Sequence, residues 1–272
     1  MQPSNPRLWP MHLGSPARAV RAQFILKFLF QTWDEGSSDT IPSPLDAHAV
    51  HVYSGPLNPQ SPHVDALREC LSEDERERAA RFHFEKNRNE YILSRGSLRQ
   101  FLAAYLKIPP QEVRFGYTRH SKPFLADASQ RVTFNISHTD GLVAFAFTLN
   151  HAVGIDVEAV RSNIKTEQIA ERFFSVAERQ ALRDCAPEQR HPAFYRCWTR
   201  KEAYIKARGE GLSHPLAQFD VALDEHPERV LLATRPDPAE IKRWLMQPFT
   251  VPQGYAAAVA VSLEPIDYCR KN

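Results

Sequence analysis

Two short stretches carry the residues whose types and spacing could do chemistry. In AVGIDVE (152–158) an extended backbone sends alternate side chains to opposite faces, so Val153, Ile155 and Val157 share one face and Gly154, Asp156 and Glu158 the other. Two carboxylates side by side on one strand face repel unless a cation lies between them. An all-oxygen donor set favours a hard ion such as Mg²⁺. The plain alternative is a strand with a solvated acidic face, and the strand alone does not choose. The second stretch, WTRKEAYIKARGEGL (198–212), has helical spacing and ends at a glycine. On that helix Trp198, Glu202 and Ile205 fall on one side, with Lys206 one turn beyond Glu202. Glu202 and Lys206 are either part of a site or an ordinary i,i+4 ion pair worth about 0.3–0.5 kcal/mol.

Several other chemistries lack their motifs. There is no G-x-x-x-x-G-K-[ST], Gly209-Glu210-Gly211 does not extend to G-x-G-x-x-G, and neither H-E-x-x-H nor G-x-S-x-G occurs. The neighbours Ser137 and His138 point oppositely on an extended chain, so their spacing is not that of a nucleophile and its base; a turn-stabilising role and a ligand contact are both open. Lys122 lies in the turn HSKPF, where a solvated lysine is the plain reading.

The elements that must position these residues can be read in order. At 272 residues the chain holds one large domain or two small ones, and 43 % hydrophobic with 24 % charged residues is the composition of a soluble globular protein. A net charge of +2 makes no general case for nucleic-acid binding. The four cysteines form no metal-binding spacing and read as reduced thiols of a cytoplasmic protein. No stretch is long and apolar enough to span a membrane; FILKFLF (24–30) is short, interrupted by Lys27, and lacks a following cleavage site. Residues 1–45, with recurrent proline, read as a partly disordered extension whose one apolar run forms a short helix.

From residue 46 the pattern is regular. A strand at 49–53 precedes a capping box, Ser72 with Glu75, and a charged helix. A longer helix covers 87–106, followed by strands at 113–117, 132–136 and 142–149, the last two forming a hairpin across SHTDG. The plan then recurs: a strand at 152–158, a capping box at Ser175 and Glu178, a long helix from Pro192 to about 208, strands at 219–223 and 229–234, and a hairpin of 248–251 with 255–263. The expected fold is therefore α+β: two similar α/β lobes packed as a pseudo-dimer, 46–151 and 152–272, after the 1–45 extension.

GIDVE and WTRKEAYIKARGEGL together resemble the paired motifs of the Sfp-type 4′-phosphopantetheinyl transferases, G-x-D-x-E and W-[ST]-x-K-E-[AS]-x-x-K-x-x-G-x-G-L. FNISHTDG (134–141) resembles the family's N-x-S-H turn, and SKPFL (121–125) its G-K-P block with Ser121 in place of glycine. RFHFEKNRNEYILSRGSLR (81–99) resembles the Arg-rich helical segment, and RFFSVAE (172–178) the block after the acidic strand. The match spans roughly residues 47–263.

The resemblance implies an enzyme with a pseudo-two-fold fold and a cleft between the lobes. It would transfer 4′-phosphopantetheine from coenzyme A to a serine of an apo carrier protein, releasing adenosine 3′,5′-bisphosphate. It implies Mg²⁺ held by Asp156, Glu158 and Glu202, with Glu202 taking the serine proton directly or through a metal-bound water, and Lys206 stabilising charge on the pyrophosphate or the leaving group. It places Lys122, Ser137, His138, Arg78 and Arg81 around coenzyme A. Lys201 either contacts phosphate or supports the helix. Glu75 stands where some relatives carry a lysine, which puts the 3′-phosphate clamp in doubt. Residues 160–174, with Ile164, Ile169 and Phe173, are the candidate docking surface for the carrier protein, against an ordinary helix core. A two-lobed chain supplies both halves of the cleft as a monomer. The rival readings are a Mg²⁺-dependent nuclease or phosphohydrolase, and an inactive carrier-binding scaffold; neither membrane nor nucleic acid is expected as a partner.

Overall fold

Strand β1 (Lys27–Thr32) lies parallel to β2 (Ala49–Pro56) and forms the edge of the first sheet. This is a computed structural model, and it describes residues 26–33, 42–127, 129 and 131–266. The apolar run expected as a short helix is thus a strand where it is described, and the first sheet begins before residue 46. Phe28, Leu29 and Phe30 suit an edge strand, because an unpaired β2 edge offers a ladder of backbone partners that a six-residue helix cannot use. Trp33 anchors the strand's end in the core, 4 % exposed and packed on Phe101 and Phe145. Residues 1–25 and 34–41 of the expected extension lie outside the described residues.

Three helices follow: α1 (Val64–Glu69), α2 (Glu73–Ala80) and α3 (Glu85–Leu106). The Ser72–Glu75 capping box starts α2 as expected. Next come a small ribbon, β3 (Phe115–Tyr117) with β4 (Pro123–Leu125), and the hairpin β5 (Val132–Thr139) and β6 (Leu142–Leu149). The first sheet has the order β1-β2-β6-β5.

The second half repeats the order. After β7 (His151–Ala159) come α4 (Thr166–Phe173), α5 (Val176–Asp184) and α6 (Pro187–Arg208). A ribbon of β8 (Phe219–Val221) and β9 (Leu231–Thr234) precedes β10 (Trp244–Pro248) and β11 (Tyr255–Pro265), and the second sheet runs β10-β11-β7. Two boundaries differ most from expectation. Pro187, not Pro192, occupies the first turn of α6, and Pro192 lies inside it. The strand expected at 248–251 lies earlier, because Trp244 to Met246 supply the packed side chains and Pro248 cannot continue the ladder.

The halves share more than element order. In the first, the buried Glu75 carboxylate receives Arg95 (Nε to Oε1, 2.8 Å) and Arg99, and Arg99 also donates to the carbonyls of Pro110 and Val113. In the second, buried Glu178 receives Lys201, which donates to the carbonyls of Leu216 and Phe219. Each capping-box glutamate thus anchors the long helix of its half.

Alternation splits each sheet between two cores. Tyr53, Phe145 and Phe147 pack under α3 with Phe101, and Ala258 and Ala260 pack under α6 with Tyr204 and Ile205. Their opposite faces meet between the sheets, where Val50, Val52, Ala144 and Ala146 pack against Val153, Ile155, Val157 and Val259. Burial of these aliphatic faces fixes the register of β7, since a one-residue slip would turn Asp156 into the apolar layer.

Candidate active site

The site forms where α6 crosses β7, and Gly154 is why it can. A Cβ at this position would run into the carbonyl oxygen of Ala203 and the amide nitrogen of Ala207. Without that atom, the turn of α6 carrying Glu202 and Lys206 lies directly on the strand that carries Asp156 and Glu158. The small residues Ala203 and Ala207, 0 % and 3 % exposed, complete the close approach.

Lys206 does not form the i,i+4 pair with Glu202. Its Nζ lies 2.5 Å from Asp156 Oδ1 and also donates to Ser137 Oγ (3.1 Å) and the Ile155 carbonyl (3.3 Å). Asp156 is 3 % exposed, and its Oδ1 accepts a second bond from Ser137 Oγ at 2.9 Å. Its other oxygen, Oδ2, is buried with no hydrogen-bond partner. Burial raises the Asp156 pKa in spite of Lys206. Glu158 is raised by burial and by the Asp156 charge, and Glu202 is pushed up to about 7 by burial, then by Asp156, against the lowering effect of Lys206. Three carboxylates that each resist ionisation share one ammonium, which leaves the cluster short of positive charge.

A hard cation fits this donor set. The groups are all oxygen, the orphaned Asp156 Oδ2 needs a positive partner, and the raised pKa values report the same deficit. Among the described residues no three His, Cys, Asp or Glu side chains stand as a ready-made coordination group. Asp156, Glu158 and Glu202 are electrostatic neighbours rather than a closed cage.

One feature of the site was not anticipated from the sequence. β5 and β7 are edge strands of different sheets, and side chains of β5 satisfy the backbone of β7. Asn135 Oδ1 accepts from Ile155 N (2.8 Å), Ser137 Oγ from Val157 N (3.4 Å), and Thr139 Oγ1 from Ala159 N (3.3 Å). The period of two in Asn135, Ser137 and Thr139 matches that of the N–H groups they meet, which is the signal by which the ladder could have been found.

The other expected residues are spread more widely. Lys122 reaches β7 and α6, with Nζ donating to the carbonyls of Val153 (3.0 Å) and Lys206 (2.5 Å). Ser121, at the glycine position of the G-K-P pattern, has φ 59°, the left-handed region that favours glycine. His138 faces outward beside the site; loss of water around the ring lowers its pKa, against the raising pull of Glu90. Lys201 is 0 % exposed and gives its ammonium to Glu178 and two carbonyls, so it supports the helix and has no donor left for a phosphate. Arg78 and Arg81 are exposed at the end of α2, Arg78 over the Tyr91 ring and Arg81 paired with Glu77. Glu75 is spent within the first core on Arg95 and Arg99. In the proposed docking segment, Ile169 and Phe173 pack on the second core, Phe173 edge-on to Trp198, while Val176 just beyond is 71 % exposed.

A family model described as the 4′-phosphopantetheinyl transferase superfamily matches residues 152–260, and one described as 4′-phosphopantetheinyl transferase, N-terminal, matches residues 57–150. The chain is 35 % identical over 218 residues to the 4′-phosphopantetheinyl transferase HetI of Nostoc sp., covering 78 % of this chain and 87 % of that protein. It is 31 % identical over 195 residues to the 4′-phosphopantetheinyl transferase Sfp of Bacillus subtilis, covering 71 % and 82 %. Among solved structures, the holo-[acyl-carrier-protein] synthase of Thermotoga maritima aligns with TM-score 0.32 at 24 % identity, over 41 % of this chain and 62 % of that one. With both halves of the chain matched and relatives above 30 % identity along most of their own length, the chain belongs to the 4′-phosphopantetheinyl transferase family.

Proposed function

We propose that the site where α6 crosses β7 binds coenzyme A and an apo carrier protein, and transfers 4′-phosphopantetheine to the carrier's serine. The observation that carries this reading is the meeting of Asp156, Glu158 and Glu202 around one lysine, with the Glu202 pKa about 7. A cation bound among these carboxylates would favour their ionised form, and an ionised carboxylate beside the acceptor hydroxyl suits a general base. Glu202 takes the serine proton as the serine oxygen bonds to the β-phosphorus; the bond from that phosphorus to the bridging oxygen breaks, and adenosine 3′,5′-bisphosphate leaves with the electron pair. Asp156, Glu158 and Glu202 would hold Mg²⁺, which supplies charge neutralisation at the pyrophosphate. Lys206 holds Asp156 in place, and it can face a phosphate by exchanging one of its three present bonds. His138, Arg78 and Arg81 offer accessible groups for the nucleotide, while Lys122 and Ser137 brace β7 from within. Residues 46–151 and 152–272 serve as the two lobes, β1 being an added edge of the first, and one chain completes the site as a monomer. The exposed side of 160–174 serves the carrier. We place the enzyme in the cytoplasm; no helix among the described residues is long and apolar enough to cross a membrane, and Cys70, Cys185 and Cys197 are free thiols.

Incubation with coenzyme A, Mg²⁺ and a panel of apo carriers, read by intact mass, tests this reading. A gain of one phosphopantetheinyl group on at least one carrier supports it. No gain on any carrier, with cleavage of a nucleic acid under the same conditions, would replace it with the phosphohydrolase reading.

A further inference from the structure

The ladder between β5 and β7 does more than join the halves. Ser137 accepts from the amide of Val157 and donates to the carboxylate of the preceding residue, Asp156. Thr139 repeats the arrangement one step along: it accepts from the amide of Ala159 and donates to Oε2 of the preceding residue, Glu158, at 3.4 Å. Asn135 accepts from the amide of Ile155, whose preceding residue is Gly154 and has no side chain to receive a bond. The strand pair thus assigns one β5 side chain to each carboxylate of β7.

We propose that Thr139 is a positioning residue for Glu158, doing for that carboxylate what Ser137 does for Asp156. The inference rests on the reading of Glu158 as a cation ligand. A carboxylate on an outer strand position has free χ angles unless one oxygen is held, and a threonine hydroxyl with its backbone fixed can hold it. The Thr139 backbone is fixed. It pairs with Leu142 across the hairpin, and the next residue, Asp140, is gripped from both halves. Arg161 donates to Asp140 Oδ2 (2.7 Å), Lys86 lies 3.5 Å from Oδ1, and the Tyr255 hydroxyl donates to the Asp140 carbonyl (2.7 Å). With Oε2 restrained by the hydroxyl, the remaining oxygen of Glu158 is aimed without spending ordering entropy when a cation arrives.

Titration of the full-length protein with Mn²⁺ alone, followed by loss of the free-ion EPR signal, tests the proposal without turnover. Thr139→Val keeps the shape and removes the hydroxyl, and it should weaken Mn²⁺ binding by about tenfold or more, the usual effect of losing a partner of a metal-binding carboxylate. Thr139→Ser should restore it. Glu158→Gln should weaken binding at least as much as Thr139→Val. Weakening by Glu158→Gln with none from Thr139→Val, or a lower melting temperature in Thr139→Val with unchanged Mn²⁺ affinity, would overturn the Thr139 assignment alone. Binding indifferent to Glu158→Gln would overturn the cation reading and Thr139's role with it.

Discussion

Lys201 Nζ lies 2.8 Å from Glu178 Oε2, with the two side chains 0 % and 2 % exposed. A lysine within a functional motif invites a phosphate-binding role, but this one is sealed between helix α6 and the ribbon that follows. Removing one member of a buried pair leaves the other charge without compensation. Lys201→Met should therefore destabilise the fold by about 3–5 kcal/mol in denaturant unfolding. A Lys201→Met protein of normal stability with weakened coenzyme A binding would return this residue to the ligand pocket.

Gly154 and Ala203 set the distance between strand and helix. Gly154→Ala forces α6 outward, because the new methyl meets helix backbone on both sides. A shift of about 1 Å at a reacting group costs on the order of 100-fold in rate. Transfer by Gly154→Ala should fall by about that factor, while circular dichroism shows the same secondary structure. Full activity in this variant would mean that the close approach is not what places Glu202.

Ser121 occupies a left-handed backbone position, φ 59°, where a side chain is disfavoured. Ser121→Gly should raise unfolding free energy by about 0.5–1 kcal/mol, the relief of strain exceeding the extra freedom of glycine in the unfolded chain. A lower stability would show that the Ser121 side chain contributes more than its backbone costs.

The Glu202 carboxyl, ordinarily near 4.5 and here about 7, links stability to pH. Between these values the folded chain holds a proton that the unfolded chain has released, so stability falls as pH rises through this window. Without divalent cation, the melting temperature of the protein relative to Glu202→Gln should drop from pH 4.5 to 7. Added Mg²⁺ should raise the melting temperature more at pH 7.5 than at pH 5, because ionised carboxylates bind the cation. Equal Mg²⁺ effects at both pH values would place the cation elsewhere.

Much of this was legible in the chain, for identifiable reasons. Alternation in AVGIDVE separates the buried Val153, Ile155 and Val157 from Asp156 and Glu158, and helical spacing puts Glu202 one turn from Lys206, so periodicity placed both elements, while their reading as one site came from the resemblance to the transferase motifs. The capping boxes at Ser72 and Ser175 mark two corresponding helix starts, which exposed the repeat. What the sequence hid depends on distant partners. Lys206 turns from its helical neighbour to Asp156 because β7 lies beneath it. Lys201 and Glu178 are 23 positions apart, and only the packed fold shows that they neutralise each other. The β1 strand escaped notice because its pairing edge belongs to β2, beyond any local window.

The most direct test of the central claim is the intact mass of an apo carrier after incubation with coenzyme A, Mg²⁺ and either the native enzyme or a folded Glu202→Gln variant. The native enzyme should add one phosphopantetheinyl group, Glu202→Gln none over the same interval, and neither should modify a carrier whose acceptor serine is replaced by alanine. Undiminished modification by Glu202→Gln would contradict the role of Glu202 as the base at this site.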